Sequence, residues 1–393
     1  MPLTVGIPKE IKIGERRVSL TPNRVRVLSE NQIQVFVEKN AGILSGFPDQ
    51  DYEHAGACLV AEREELWQKA DLIKKVKEPV SDEFGFFRSQ HIIFTYLHLA
   101  SPSERPLIDA LVLAQATAIA YETIEQNGET PLLKPMSEVA GVLAAYFSGI
   151  FRNHVTVQGN KILGLEIAKS MMNDLAAAYP ATPKNFPPGQ VVILGGGHVG
   201  KQAARTADRM GGTVFLSEIA EGRRKQLEQE FKSAGLSIQL IDPRNLDTYE
   251  KILTSSEVVI ACVHAAGKRA PTVIDSALLK KISEQKRKVI LDIAIDQGGN
   301  VAESSPTDYE TPLYVDSLGN LRFSVTNVPS LCGRGASRTL EKVSLDYTLA
   351  LTGGLDQALR KYPELRSGIN ILKGVLLHPA VCEAHRLSSK GGF

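Results

Sequence analysis

The chain lacks any CxxC pair: its four cysteines, Cys58, Cys262, Cys332 and Cys382, are scattered through 393 residues. Such spacing suits neither a disulfide framework nor a zinc site, so no metal is expected, and a reducing, cytoplasmic setting is implied. Charge of one sign is also lacking, with 45 Lys and Arg against 44 Asp and Glu and a net charge of +1. Neither nucleic acid nor an acidic membrane surface is therefore expected as a partner. Long apolar runs are missing too. The longest uncharged one, residues 139–151, falls short of the roughly 18–20 residues that span a bilayer. The N-terminal stretch has neither the basic start nor the apolar core of a signal peptide. Repeats and low-complexity tracts are absent.

What remains is a globular composition, 43% apolar and 23% charged, in a chain too long for one ordinary core. Two domains are expected. In the first 130 residues short apolar runs, at 35–37, 72–77, 92–97 and 118–121, alternate with helical patterns such as 62–70. Alternation of this kind implies βαβ units and a parallel sheet. The Pro-rich stretch 179–189 must be irregular, because proline continues neither a helix nor a central strand. A helix is expected before it, over 163–179. After it the βαβ rhythm resumes to about Asn327, a helical pattern covers 338–359, and a polar tail runs over 388–393.

The strand-like run 190–194 leads into Gly195, Gly197 and Gly200, spaced GxGxxG, with a helical pattern over 201–210. Gly195 permits the tight turn, Gly197 lets the backbone approach a pyrophosphate, and Gly200 allows close helix–strand packing. The helix N-terminus offers unsatisfied N–H groups to phosphate. A second strand, 213–216, ends near Glu218, 18 residues beyond Gly200, where an acid would accept hydrogen bonds from ribose hydroxyls. That acid points to NAD rather than NADP, while Arg223 and Arg224 nearby could receive a 2′-phosphate.

A second constellation is polar. The apolar run 289–295 ends in Asp296 and breaks on Gly298 and Gly299, at the carboxyl end of a strand, where open α/β sheets hold ligands. Arg17 follows a glycine-containing turn, and Lys77 and His98 each stand at the end of an apolar run. A guanidinium suits a small acid's carboxylate, an ammonium a carbonyl oxygen, and an imidazole proton transfer near neutrality. Each residue has a plainer use as well. Arg17 fits a surface ion pair, Lys77 a solvated strand end, His98 a satisfied core position and Asp296 a helix cap.

Taken together these segments resemble the family that contains alanine dehydrogenase and the cofactor-binding subunit of proton-translocating transhydrogenase, with alanine dehydrogenase the nearer member. The stretches that carry the resemblance are 6–10 (GIPKE), 16–22 (RRVSLTP), 76–79 (VKEP), 94–100 (FTYLHLA), 120–123 (AYET), 135–141 (PMSEVAG), the Gly-rich turn and 292–299 (DIAIDQGG). The resemblance implies an α/β fold of two Rossmann-like domains with parallel sheets and an active site in the cleft between them. It assigns residues 1–135 and 330–393 to a discontinuous substrate domain and 136–329 to an NAD-binding domain. It places the substrate on Arg17 and Lys77, makes His98 and Asp296 the acid–base pair, and implies cofactor contacts at Ser137, His198, Val199, Glu218, Arg223, Val263, His264, Ile293, Asp296, Asn327 and Val328. It further implies a small amino acid or 2-keto acid as substrate and a homo-oligomer, usually hexameric and sometimes smaller. The expected reaction is NAD-dependent, reversible deamination of L-alanine. Reductive condensation of a keto acid with an amino acid, and service as a transhydrogenase subunit, are the alternatives. Two segments, 151–188 and 330–339, depart from the family pattern.

Overall fold

A computed structural model describes residues 2–181, 186–264 and 269–387. Part of the Pro-rich stretch and the 388–393 tail lie outside the described residues. Two compact units form, one from Met1–Met136 with Cys332–Phe393, the other from Ser137–Leu331.

The first unit is built on an eight-stranded sheet. Its order is Val375–Leu376, Ile369–Leu372, Thr117–Ala120, Ile92–Thr95, Leu72–Lys74, Val5–Ile7, Val35–Glu38 and Cys58–Val60. The first six strands of the chain are mutually parallel; Ile369–Leu372 pairs antiparallel with Thr117–Ala120, and Val375–Leu376 antiparallel with Ile369–Leu372. Read in chain order, those six lie 3-2-1-4-5-6, the order of dinucleotide-binding doubly wound sheets. Their sequences are near-continuous Val, Ile and Leu, as burial on both faces requires. The core around Trp67 packs the helices Arg63–Lys69 and Arg105–Leu113 against one face.

The second unit repeats the arrangement. Its sheet runs Gln239–Ile241, Thr213–Ser217, Gln190–Leu194, Val258–Ala261, Val289–Asp292, Leu321–Phe323 and Leu313–Val315. The first six strands of that sheet are parallel, again in 3-2-1-4-5-6 order, and the last is antiparallel. In each unit the order reverses beside the first strand, which brings the carboxyl ends of the first and fourth strands together. The two-domain α/β expectation is thus met twice over.

Element ends depart from the sequence reading, for one recurring reason. The runs 72–77, 92–97 and 289–295 carry apolar residues past a polar one, yet the strands stop at that residue, Lys74, Thr95 and Asp292. Beyond those points the chain leaves the ladder while its apolar side chains stay buried or half-buried, so hydrophobicity outlasts β-pairing. A short hairpin, Thr156–Gln158 with Lys161–Leu163, precedes the helix Leu165–Ala178 and was not anticipated. The helical pattern 338–359 is two helices, Gly333–Thr352 and Leu355–Lys361, separated at Gly353 and Gly354. The helix after the Gly-rich turn starts earlier than read, at His198, and runs to Arg209. Among the described residues no helix is long and apolar enough to cross a membrane.

Candidate active site

In the first unit, Lys77 and His98 lie three residues past the ends of neighbouring parallel strands, in which Lys74 and Phe94 are in register. That equal overhang sets them side by side, Lys77 Nζ lying 3.1 Å from His98 Nε2. An ammonium only donates, so the contact needs an unprotonated Nε2 as acceptor. The protein packed around the ring, then the Lys77, Lys12 and Arg17 charges, hold the imidazole well below its ordinary pKa. His98 keeps 40% of its side chain exposed, with its ring stacked at 10° on Tyr96.

The backbone of His98 is unusual, with φ at +50°. A non-glycine residue in this region costs roughly 1–2 kcal/mol and needs support. Glu122 supplies it from the turn after the adjacent strand, accepting from His98 N at 2.6 Å and from Leu97 N at 3.1 and 3.2 Å. Burial pushes the Glu122 carboxyl up, and these backbone N–H groups pull it back.

Arg17 is buried. Glu15 grips it with two parallel bonds, Nε to Oε1 at 2.7 Å and Nη2 to Oε2 at 2.6 Å, while Nη1 reaches Met136 Sδ at 3.1 Å. The fork with Glu15 fixes the plane of the guanidinium and uses two of its five N–H donors. Glu78 follows Lys77 and is buried beside it, with Oε2 at 3.7 Å from Lys77 Nζ. Sequence reading assigned no role to Glu15, Glu78 or Glu122. Glu78 and Glu122 stand inside stretches that carry the resemblance, 76–79 and 120–123, and Glu15 immediately precedes another, 16–22, the one signal that points to them.

In the second unit Gly195 takes φ +103°, and a methyl group on Gly200 would meet the Gly195 carbonyl oxygen at 1.8 Å. The helix His198–Arg209 therefore starts directly against the strand end, with Gly197 as N-cap and open space where its side chain would stand. His198 and Val199 are the first helical residues, both half-buried. Glu218 lies just past the next strand and accepts from Gly196 N at 3.1 Å and Ala220 N at 2.8 Å. Arg223 rests on the Gly196 carbonyl oxygen at 3.3 Å, and Arg224 is committed to Asp242 at 2.7 Å. A backbone cradle at a helix N-terminus with an acid beside it fits a dinucleotide, and the carboxylate is the wrong charge for a 2′-phosphate.

Most of the remaining predicted positions follow three neighbouring strands, those ending at Ala261, Asp292 and Phe323. Val263 is clamped by Asn300, whose side chain accepts from Val263 N at 2.8 Å and donates to Val263 O at 3.0 Å. Exposed His264 follows it. Ile293 N donates to Ala261 O at 2.8 Å. Val328 O accepts from Tyr309 Oη at 2.9 Å. Ser137 is half-buried on the helix Lys134–His154, away from these loops in sequence.

Asp296 does not end the strand. It sits exposed on the turn Ile295–Gln297, where Oδ2 accepts from Asn327 N at 3.2 Å. The strand-end carboxylate is Asp292. It is fully buried and accepts from Asn300 N at 2.9 Å, Val301 N at 3.0 Å and Ser304 Oγ at 2.7 Å. Ser304 Oγ in turn accepts from buried Arg322 at 2.6 Å. Among the described residues no group of His, Cys, Asp or Glu side chains could hold a metal ion.

Two domain families match in tandem, "Alanine dehydrogenase/PNT, N-terminal domain" over residues 6–140 and "Alanine dehydrogenase/PNT, C-terminal domain" over 177–379. Alanine dehydrogenase 2 of Staphylococcus aureus (strain Mu50 / ATCC 700699) is 35% identical over 391 residues, covering 99% of this chain and 98% of the relative. A solved L-alanine dehydrogenase superposes with TM-score 0.82 at 34% identity, covering 98% of this chain and 99% of that one. A transhydrogenase structure from Sinorhizobium meliloti gives TM-score 0.73 at 21% identity, with 96% and 99% covered, a likeness of fold. Over nearly its whole length, then, this chain is a member of the alanine dehydrogenase/PNT family.

Proposed function

We propose that the protein catalyses reversible, NAD-dependent oxidative deamination of L-alanine to pyruvate and ammonium. The observation that carries this reading is the Lys77–His98 contact at 3.1 Å, next to a buried arginine, in a chain 35% identical to an alanine dehydrogenase. In this reading the first unit binds substrate and the second binds NAD.

Arg17, its plane set by Glu15, receives the substrate carboxylate. Lys77 donates to the oxygen that becomes the pyruvate carbonyl. His98, held unprotonated, takes the proton as water adds at Cα and returns it in the reverse direction. Asp296, on the second unit, orients the water and the amino group. The Gly195–Gly197–Gly200 turn with His198 and Val199 holds the pyrophosphate, Glu218 the adenosine ribose, and Ser137, Arg223, Val263, His264, Ile293, Asn327 and Val328 the rest of the dinucleotide. NAD held there would supply the acceptor for the hydride that leaves Cα.

The test is NADH formation from L-alanine. His98→Ala and Asp296→Asn should each lose about 10²–10⁴-fold in kcat while still binding NADH. Turnover that survives either substitution refutes the assigned roles. We also propose a cytoplasmic homo-oligomer, hexameric or dimeric. Sedimentation reads the assembly, and a monomer would overturn it.

A further inference from the structure

Glu78 has its carboxylate divided between two settings. Oε1 is ion-paired with Lys12. Oε2 is buried, with no hydrogen-bond partner among the described residues, 3.7 Å from Lys77 Nζ and 3.9 Å from His98 Nε2. A buried acceptor left unmade is costly, so one held against an acid–base pair calls for an explanation. Glu78 and Lys12 also line a cavity of about 260 Å³, with Ser81, Phe84, Ser103 and Leu107 among its other walls. The carboxylate therefore touches the Lys77–His98 pair on one side and the cavity on the other.

The proposed reaction supplies the need. Converting the ammonium form of alanine to pyruvate and ammonium consumes one water, passes one hydride to NAD and releases one proton. That proton must leave His98 before the ring can serve again. We propose that Glu78 is a positioning and proton-exit residue for His98, its Oε2 receiving the proton from Nε2 and handing it to solvent through the Lys12-lined cavity. This rests on His98 being the acid–base group.

The step balances without a redox partner. The Nε2–H bond breaks as an Oε2–H bond forms, and that bond breaks in turn as water in the cavity takes the proton. His98 ends neutral and Glu78 anionic. Bringing 3.9 Å to a hydrogen-bond length requires a movement of roughly 1 Å. Around the ring stand Lys77, Lys12 and Arg17, which make its protonated form a ready donor, with Tyr96 stacked on one face and Glu122 committed to backbone N–H groups. Glu78 is the carboxylate whose open oxygen faces Nε2.

Two readouts test the proposal on the full-length enzyme. In Glu78→Gln, with the carboxylate charge gone, the His98 titration followed by NMR should fall by about one unit or more. It reads the coupling whatever substrate the enzyme takes, and an unchanged titration overturns the proposal. In Glu78→Ala, kcat for NADH formation should drop at least about tenfold with KM nearly unchanged, and added formate should restore it saturably. Ser103→Trp, which narrows the cavity at an exposed position, should abolish that rescue. Glu78 variants that retain wild-type kcat, or formate that fails to restore it, overturn the exit path while leaving the function of His98 standing. If wild-type enzyme oxidises no amino acid, it is the functional reading that fails, and the His98 titration still decides the coupling.

Discussion

Lys74 offers a sharp test of the packing. Its side chain is fully buried at the end of a strand, with Nζ donating to Tyr121 Oη at 2.8 Å and Ser344 Oγ at 3.0 Å, over the rings of Phe94 and Tyr121. Both hydrogen-bond partners are neutral. Burial, opposed only by the more distant Glu341 charge, lowers its pKa from 10.5 to about 7. In the unfolded chain Lys74 titrates at 10.5, so between pH 10.5 and 7 the unfolded state binds a proton that the folded state refuses. Stability therefore falls as pH drops through that window, by about 5 kcal/mol over 3.5 units at 1.36 kcal/mol each. Lys74→Met removes this penalty together with two hydrogen bonds worth about 1 kcal/mol each. The variant should be about 3 kcal/mol more stable than wild type at pH 6 and about 2 kcal/mol less stable above pH 10.5. Urea unfolding of both proteins at fixed concentration across this range cancels every other titrating group. A difference that keeps one sign, or varies by less than about 1 kcal/mol, refutes the account.

Three further outcomes are expected. Because three cations and the surrounding protein depress His98, kcat/KM for alanine should keep its acid limb below pH 6.5, and a limb above that value refutes the assignment of His98 as base. Glu218→Ala should weaken NAD binding by about tenfold or more and leave NADP nearly unaffected, as read by fluorescence titration; equal losses would remove its ribose role. Gly200→Ala places a methyl 1.8 Å from the Gly195 carbonyl oxygen, so the turn must shift. NADH affinity should fall at least about tenfold while the substrate-side variants leave it intact, and a wild-type Kd refutes the cradle.

The fold was legible because its signals are local. Val, Ile and Leu in runs of three to five, separated by helical patterns, suffice to imply parallel sheets, and the glycines at 195, 197 and 200 mark a turn that only small residues can make. Strand ends were less legible. Val76, Leu97, Ile293 and Ile295 are apolar because their loops are buried, and a sequence cannot tell burial in a loop from burial in a strand. The polar residues that steady the candidate site were invisible for the opposite reason. Glu15, Glu78 and Glu122 look like surface carboxylates in sequence, and their burial follows from contacts with Arg17, Lys12 and the His98 backbone. Lys74 gave no warning either, since two adjacent lysines in a row read as solvated.

The strand end at Asp292 and the turn after it carry two carboxylates four positions apart with opposite obligations. Asp292 is bolted inward to Asn300, Val301 and Ser304, with Arg322 behind them, whereas Asp296 faces outward on a single backbone contact. Anchorage and exposure are thereby separated within one short segment. The outward position can drift, or be redesigned for a different chemistry, without unseating the segment that presents it, and the inward one is where drift would be fatal.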